Sequence, residues 1–449
     1  MDDLNWSKVA IYDDLYGYIK LTDIELEVVD HPLFQRLNHI RQLGNAFRVF
    51  PGAQHTRFSH SLGVMYLMDR ILTSGNIGEF DSEERQKLRL AALLHDIGHY
   101  PFSHAIESIY TDNGKNSEGK HENFGAYILS KYSIKKTLTD KNYNPEEISN
   151  IFLARSGQVI YNQLISSQFD VDRCDYLLRD SMNTGVIYGR FDLDRMIHTL
   201  RKSNDDVLGI HEKGIRAADG YTIGRYLMWT TVYNHKTISG YDELLKTAFL
   251  NTVNKKYSTI DKLKDLSEND LIKFNDNYIL NLIHNNIDSI IEYKSKICKM
   301  YCSRNLKNRL QIVDEEKHFS LEAKRSKKFF QLDQYGNKNV MKRLQRRDDS
   351  IKKWVFHSSS ITKLPSLHPM MYGELLKSRE EGEILGEEMM KVLYIIDDDN
   401  EKNVYGYDPH SLAGHLINLS YDVVRIYSKI DLVDNVKKAL EEDISKYSS

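Results

Sequence analysis

Cysteine, proline, net charge and long apolar runs are all scarce in this sequence, and each absence excludes a class of protein. Cys174, Cys298 and Cys302 are the only cysteines in 449 residues. So odd and sparse a set argues against a secreted disulfide framework and fits a reducing compartment, so the expected location is cytoplasmic. Cys298 and Cys302 are four apart and His318 follows, which could begin a zinc site, but two thiols on one face of a helical stretch read more simply as core residues. No run of about 18 apolar residues occurs, and the acidic start MDDLNWSKVAIYDD lacks an apolar signal segment, so neither a membrane span nor export is expected. The formal charge of −3 gives no whole-molecule attraction to nucleic acid, so an anion site must be a local cluster.

Only 7 prolines occur, with none between Pro145 and Pro365. Long helices can therefore run there, and Tyr221 to Asn251 and Asn269 to Tyr301 are read as two of them. What is abundant is apolar sequence at helical spacing, as in Val64, Leu67, Met68, Ile71 and Leu72, and again in Leu90, Leu93, Leu94 and Ile97. Residues 1–25 instead alternate around Asp13, Asp14 and Gly17, the pattern of short strands with a turn. Lys324 to Lys353 holds eleven basic residues against Asp333, Asp348 and Asp349, which reads equally as a solvated face or as an anion or nucleic-acid contact. Beyond it, Val392 to Ile396 and Val423 to Tyr427 are strand-like and Ser411 to Leu419 is helix-like. The expected fold is mainly α. It comprises a strand ribbon at 1–25, a helical catalytic core at 26–200, a helical extension at 201–320, a basic segment at 321–360 and a small α+β lobe at 361–449.

Chemistry concentrates in three short runs. Leu93 to His104, LLHDIGHYPFSH, ends an apolar helical run with an imidazole beside a carboxylate. A divalent ion accounts for both, since imidazole nitrogen and carboxylate oxygen suit Mn, Fe, Ni or Zn and an unpaired buried Asp is strongly unfavourable. Two neighbouring ligands cannot fill a coordination shell. Further groups are offered upstream by His55 to Gly63, where His60 opens a helix beside Arg57, and downstream by the charged helical run Asp170 to Asp180. Each run alone is ordinary, because a lone His is usually a hydrogen-bonded core residue and a charged helix usually a solvated face. In order, however, they form the pattern H…HD…D that names the HD superfamily.

The runs Arg41 to Val64, Leu93 to His104, His121-Glu122 and Phe169 to Asp180 together resemble the deoxynucleoside triphosphate triphosphohydrolases of that superfamily, the group that includes the vertebrate SAM- and HD-domain restriction factor. The resemblance is close over residues 10–200 and looser beyond. It implies that the core at 26–200 is an HD domain and that His60, His95, Asp96 and Asp172 hold a divalent transition metal, with Mg alongside the nucleotide. It implies that His104 and His121, with Glu107, serve proton transfer and that His99 contacts the α-phosphate. Gln42 and Asp180 would hydrogen-bond the sugar 3′-hydroxyl, Tyr176 would lie under the sugar, and Arg57 and Arg173 would hold phosphates. The implied reaction is hydrolysis of a dNTP to deoxynucleoside and inorganic triphosphate.

This sequence departs from the family in two places. Thr231 stands where the vertebrate relative has an Arg for the distal phosphate, with Tyr233, His235 or Lys236 as substitutes, and Asn38 replaces an Arg of the effector site. Asp30, Gln35, Arg425 and Lys429 resemble that effector site, which implies a homo-oligomer, dimer or tetramer, activated by a dNTP such as dGTP; Arg425 and Lys429 also read as a charged strand edge. Two alternatives stay open. One is another HD reaction, a nucleoside monophosphatase or phosphodiesterase; the other is a nucleotide sensor or nucleic-acid-binding protein using residues 324–353.

Overall fold

The computed structural model describes residues 4–111, 116–204, 206–253, 255–285 and 393–398, together with the strand backbones at 310–319, 355–363, 402–404 and 420–429. In chain order the strands and α-helices begin with β1 (Trp6–Asp13), β2 (Gly17–Thr22), α1 (Asp23–Asp30), α2 (Pro32–Gln35), α3 (Arg57–Leu72) and α4 (Ser82–Leu94). There follow α5 (His104–Tyr110), α6 (His121–Lys131), α7 (Ile134–Thr139), α8 (Pro145–Phe152), α9 (Val159–Ile165), α10 (Val171–Thr184) and α11 (Leu193–Thr199). Next are β3 (Leu200–Lys202), β4 (Leu208–Ile210), α12 (Ile215–Met228), α13 (Lys236–Thr252), α14 (Ile260–Lys264), α15 (Glu268–Lys273) and α16 (Asp276–Asn285). Five strands close the series: β5 (Leu310–Phe319), β6 (Val355–Lys363), β7 (Tyr394–Ile396), β8 (Lys402–Val404) and β9 (Ser420–Lys429). The fold is mainly α, with short N-terminal strands, as the apolar spacing predicts.

The chain divides into two compact units, the first holding 1–229, 253–282 and 365–417, the second 230–252, 283–364 and 418–449. In the first, β1 and β2 pair antiparallel, and β3, β4, β7 and β8 form a sheet in that order, with β4 and β7 parallel. In the second, β9 lies between β5 and β6, antiparallel to both. The core of the first unit forms where α3 packs on α4 and α10, burying Val64, Leu67, Met68, Leu90, Leu93, Leu94 and Leu177. Capping boxes start α1, through Thr22 and Glu25, and α4, through Asp81 and Glu84, each satisfying two otherwise orphaned amides.

Two expected long helices are broken. The Tyr221 to Asn251 stretch passes through a π-helical turn at Trp229–Tyr233, after which His235 Nδ1 accepts the Thr237 amide and restarts the chain as α13. The Asn269 to Tyr301 stretch breaks at Phe274-Asn275 between α15 and α16, where Asn275 Oδ1 accepts the Tyr278 amide; its remainder beyond 285 lies outside the described residues. A side chain that captures a nearby amide competes with the helical ladder, which is why Asn and His mark these breaks. Cys298, Cys302, the basic segment from Lys324 to Lys353 and the Ser411 to Leu419 helix also lie outside the described residues. Among those described, no helix is long and apolar enough to cross a membrane.

Candidate functional site

Three helix ends bring the ionisable runs together. Asp170 caps α10 by accepting the Arg173 amide, which sets Asp172 in its first turn; α3 opens at Arg57 and carries His60 one turn in; α4 ends at Leu94, releasing His95 and Asp96 into a tight loop. His60 Nε2 lies 3.0 Å from Asp172 Oδ1 and 3.6 Å from Asp96 Oδ2. His95 Nε2 lies 3.4 Å from Asp96 Oδ1 and 3.8 Å from Asp172 Oδ1. Ligands about 2.1 Å from a single ion stand roughly 3–3.4 Å apart, so these spacings suit one metal.

The far side of each ring is already held. His60 Nδ1 is 2.7 Å from Asp175 Oδ2, and His95 Nδ1 is 2.8 Å from the Ala92 carbonyl. Both Nε2 atoms are buried and neither is aligned on a hydrogen-bond partner, the orientation that a metal-binding imidazole needs. Burial disfavours a charged His60, but contacts with Asp172 and Asp175 and the charges of Asp175 and Asp96 outweigh it and push this imidazole up to about 10. Burial likewise opposes the charge on Asp96, yet Arg57, His95 and His99 hold its carboxyl well below the usual range. The grouped donors His60, His95 and Asp96 fit a divalent metal, and Asp172 stands beside both imidazoles as a further carboxylate.

A second group shares Asp96. His99 Nε2 is 3.2 Å and His121 Nε2 3.7 Å from Asp96 Oδ1, and the two rings stack with centroids 3.8 Å apart. The stack forms because Gly98 lets α6 approach the loop: a Cβ there would fall 2.1 Å from the His121 carbonyl oxygen. Glu107, in the first turn of α5, ties two imidazoles together, with Oε1 2.7 Å from His121 Nδ1 and Oε2 2.6 Å from His104 Nδ1. Burial lowers His121, but Glu122 and Glu107 outweigh it and bring it to about 9. His99 is driven well below its ordinary value by burial and by the positive charges of Arg57 and His121. A neutral imidazole, a chargeable one and the exposed His104 therefore stand side by side.

The remaining candidates are placed unevenly. Gln42 donates its amide to the His55 carbonyl, and His55 Nε2 lies 2.7 Å from Asp180 Oδ1, so Gln42 and Asp180 meet through His55; Tyr176 is half-buried on the same helix as Asp180. Arg57 is buried, donating to Asp96 Oδ2 at 2.6 Å, Ser103 Oγ at 3.0 Å and the Gln42 carbonyl at 3.4 Å. Arg173 donates to Asp170 and to the Ser167 carbonyl. Asp30 is exposed, and Gln35 is occupied locally by the Val29 carbonyl and the Asn38 amide. These two lie in the first unit, whereas Arg425 and Lys429 lie on β9 of the second. Thr231 lies in the π-helical turn.

Sequence reasoning passed over Asp175, His55, Arg41 and Asp276. Asp175 carried a signal, since it follows Asp172 by three residues and so shares a helix face with it. Asp276 carried none.

The HD domain family matches residues 57–180, which contain all four candidate metal ligands, and the HD associated region matches residues 191–328. The chain is 33% identical over 323 residues to an uncharacterized protein of Methanocaldococcus jannaschii, covering 70% of this chain and 66% of the other. It is 30% identical over 322 residues to the deoxynucleoside triphosphate triphosphohydrolase SAMHD1 homolog of Dictyostelium discoideum, covering 69% and 60%. A solved structure of a hypothetical protein from Aquifex aeolicus superposes with a TM-score of 0.70 at 25% identity, covering 96% of this chain and 99% of the other. The chain spans only about half to two thirds of the length of the curated relatives it matches.

Proposed function

The chain belongs to the HD superfamily, is related to its SAMHD1-like members, and on that premise we propose that it hydrolyses dNTPs to deoxynucleoside and inorganic triphosphate. The observation that supports this reading best is the shared carboxylate of Asp96, which sets the candidate metal cluster directly beside the stacked imidazoles of His99 and His121. His60, His95, Asp96 and Asp172 would hold a divalent transition ion, which when bound supplies charge neutralisation at phosphorus and a more acidic water. His99, kept neutral by burial, donates a hydrogen bond to the α-phosphate. His104 or His121 passes a proton to the departing 5′-oxygen, with Glu107 orienting both rings. Gln42 and Asp180 hold the 3′-hydroxyl, with Tyr176 under the sugar, and Arg57 and Arg173 act on the phosphates. A dNTP such as dGTP, acting as an effector, would favour an oligomer and raise turnover.

A second reading has one observation in its favour. The guanidinium groups of Arg57 and Arg173 are already paired with Asp96 and Asp170, which leaves less positive charge for a triphosphate and suits a nucleoside monophosphatase or phosphodiesterase. Product analysis after incubation with each dNTP, alone and mixed, under Mn, Fe, Ni, Zn and Mg separates them. Release of inorganic triphosphate is expected; phosphate or pyrophosphate alone would sink the proposal. Mixed dNTPs turning over no faster than single ones would remove the regulatory part.

A further inference from the structure

Outside the HD domain match, the corner between α15 and α16 reaches back to the loop that follows Asp96. Asp276, buried at the first position of α16, accepts the Phe102 amide on Oδ1 at 2.7 Å. Its Oδ2 accepts the Arg41 amide and Arg41 Nη1, each at 3.2 Å. Two residues earlier the Phe274 carbonyl accepts Arg36 Nη1 at 3.0 Å, and the same guanidinium donates through Nη2 to the Ile97 carbonyl at 2.8 Å. The corner thus grips both ends of the segment Ile97 to Phe102, which carries His99 and leads into His104.

The gripped segment needs holding. Phe102 and Ser103 have φ values of 55° and 52°, two consecutive non-glycine residues in the left-handed region, which the chain adopts only where surrounding contacts over-determine it. Ser103 then donates its hydroxyl to the Arg41 carbonyl at 2.8 Å and accepts Arg57 Nε at 3.0 Å, so the turn is linked onward to the guanidinium beside Asp96.

We propose that Asp276, with Arg36 and Arg41, is a positioning clamp: the HD associated region sets the placement of His99 and His104 by fixing the Phe102-Ser103 turn through the Phe102 amide. Asp276 touches none of the four candidate metal ligands. Its work is geometric, so two acceptors at the right reach matter more than its charge.

The test uses Asp276→Asn, Asp276→Glu and Asp276→Ala in the full-length, metal-loaded protein. Asn keeps one acceptor at the same reach, for the Phe102 amide, but turns an N–H donor towards the Arg41 amide and guanidinium; Glu keeps both acceptors and the charge but is a methylene longer. Asp276→Ala and Asp276→Glu are expected to lower kcat about tenfold or more with KM within about twofold and metal content unchanged, while Asp276→Asn, which keeps only the acceptor for the Phe102 amide, falls between them and the parent. Hydrogen–deuterium exchange should rise in the peptide spanning Tyr100 to Ile109 for Ala and Glu, and remain unchanged in α8. If Glu retains the turnover of the parent, the reach of the carboxylate does not matter and the clamp is overturned. Equal loss of protection along the whole chain overturns it too. The kinetic arm rests on the proposed dNTP hydrolysis; a parent protein without turnover on any dNTP defeats that reading, while local exchange still decides the clamp.

Discussion

His60 Nδ1 lies 2.7 Å from Asp175 Oδ2, on the side of the ring opposite Asp172. Asp175 is itself gripped by Arg179, which reaches on to Asp13 at the end of β1. The orientation of a candidate metal ligand therefore depends on a chain of buried ion pairs that runs out to the N-terminal ribbon.

Metal binding should become tighter with pH. In the metal-free protein His60 titrates near 10, above its unfolded value of about 6.5, so its pairing with carboxylates stabilises the fold fully below pH 6.5 and is lost as pH rises through 10. A metal needs the neutral ring and must displace that proton. The rise in melting temperature caused by Mn, measured against a chelated sample, is expected to grow between pH 6.5 and pH 9. A constant or shrinking increment would contradict the assignment of His60.

Glu107 should matter for rate and not for metal. Burial opposes its charge, but His121 and His104 outweigh burial and hold it well below the usual carboxylate range, so it stays ionised throughout the working pH range. Glu107→Gln loses the acceptor for one of the two imidazoles. The expected loss in kcat is about 10- to 100-fold, the usual effect of removing a partner that orients an active group. Metal analysis by mass spectrometry should match the parent; depletion of metal would instead place Glu107 in the coordination shell.

Arg179→Met should be severely destabilising. The guanidinium is buried between Asp13 and Asp175, and its removal takes away the cation they share, leaving Asp13 without an ion-pair partner among the described residues and Asp175 with His60 alone, at a cost of about 3–5 kcal/mol. Urea unfolding of the metal-free protein measures it directly. A change below about 1 kcal/mol would show that these charges are solvated in the folded state.

Local chemistry and periodicity are properties that a sequence carries openly. The spacing of Val64, Leu67, Met68 and Ile71 makes one face of α3 apolar whatever it packs against, and the order of His60, His95-Asp96 and Asp172 is visible without coordinates. The breaks at Asn234-His235 and Phe274-Asn275 were hidden, because an amide captured by a side chain leaves the apolar spacing intact while ending the helix. Which nitrogen of each imidazole faces Asp96 was likewise decided by packing, through Asp175 behind His60 and the Ala92 carbonyl behind His95. So was the reach of Asp276 to Phe102 across 174 residues, since the direction of a side chain between distant segments follows from how helices pack and not from the residues beside it in sequence.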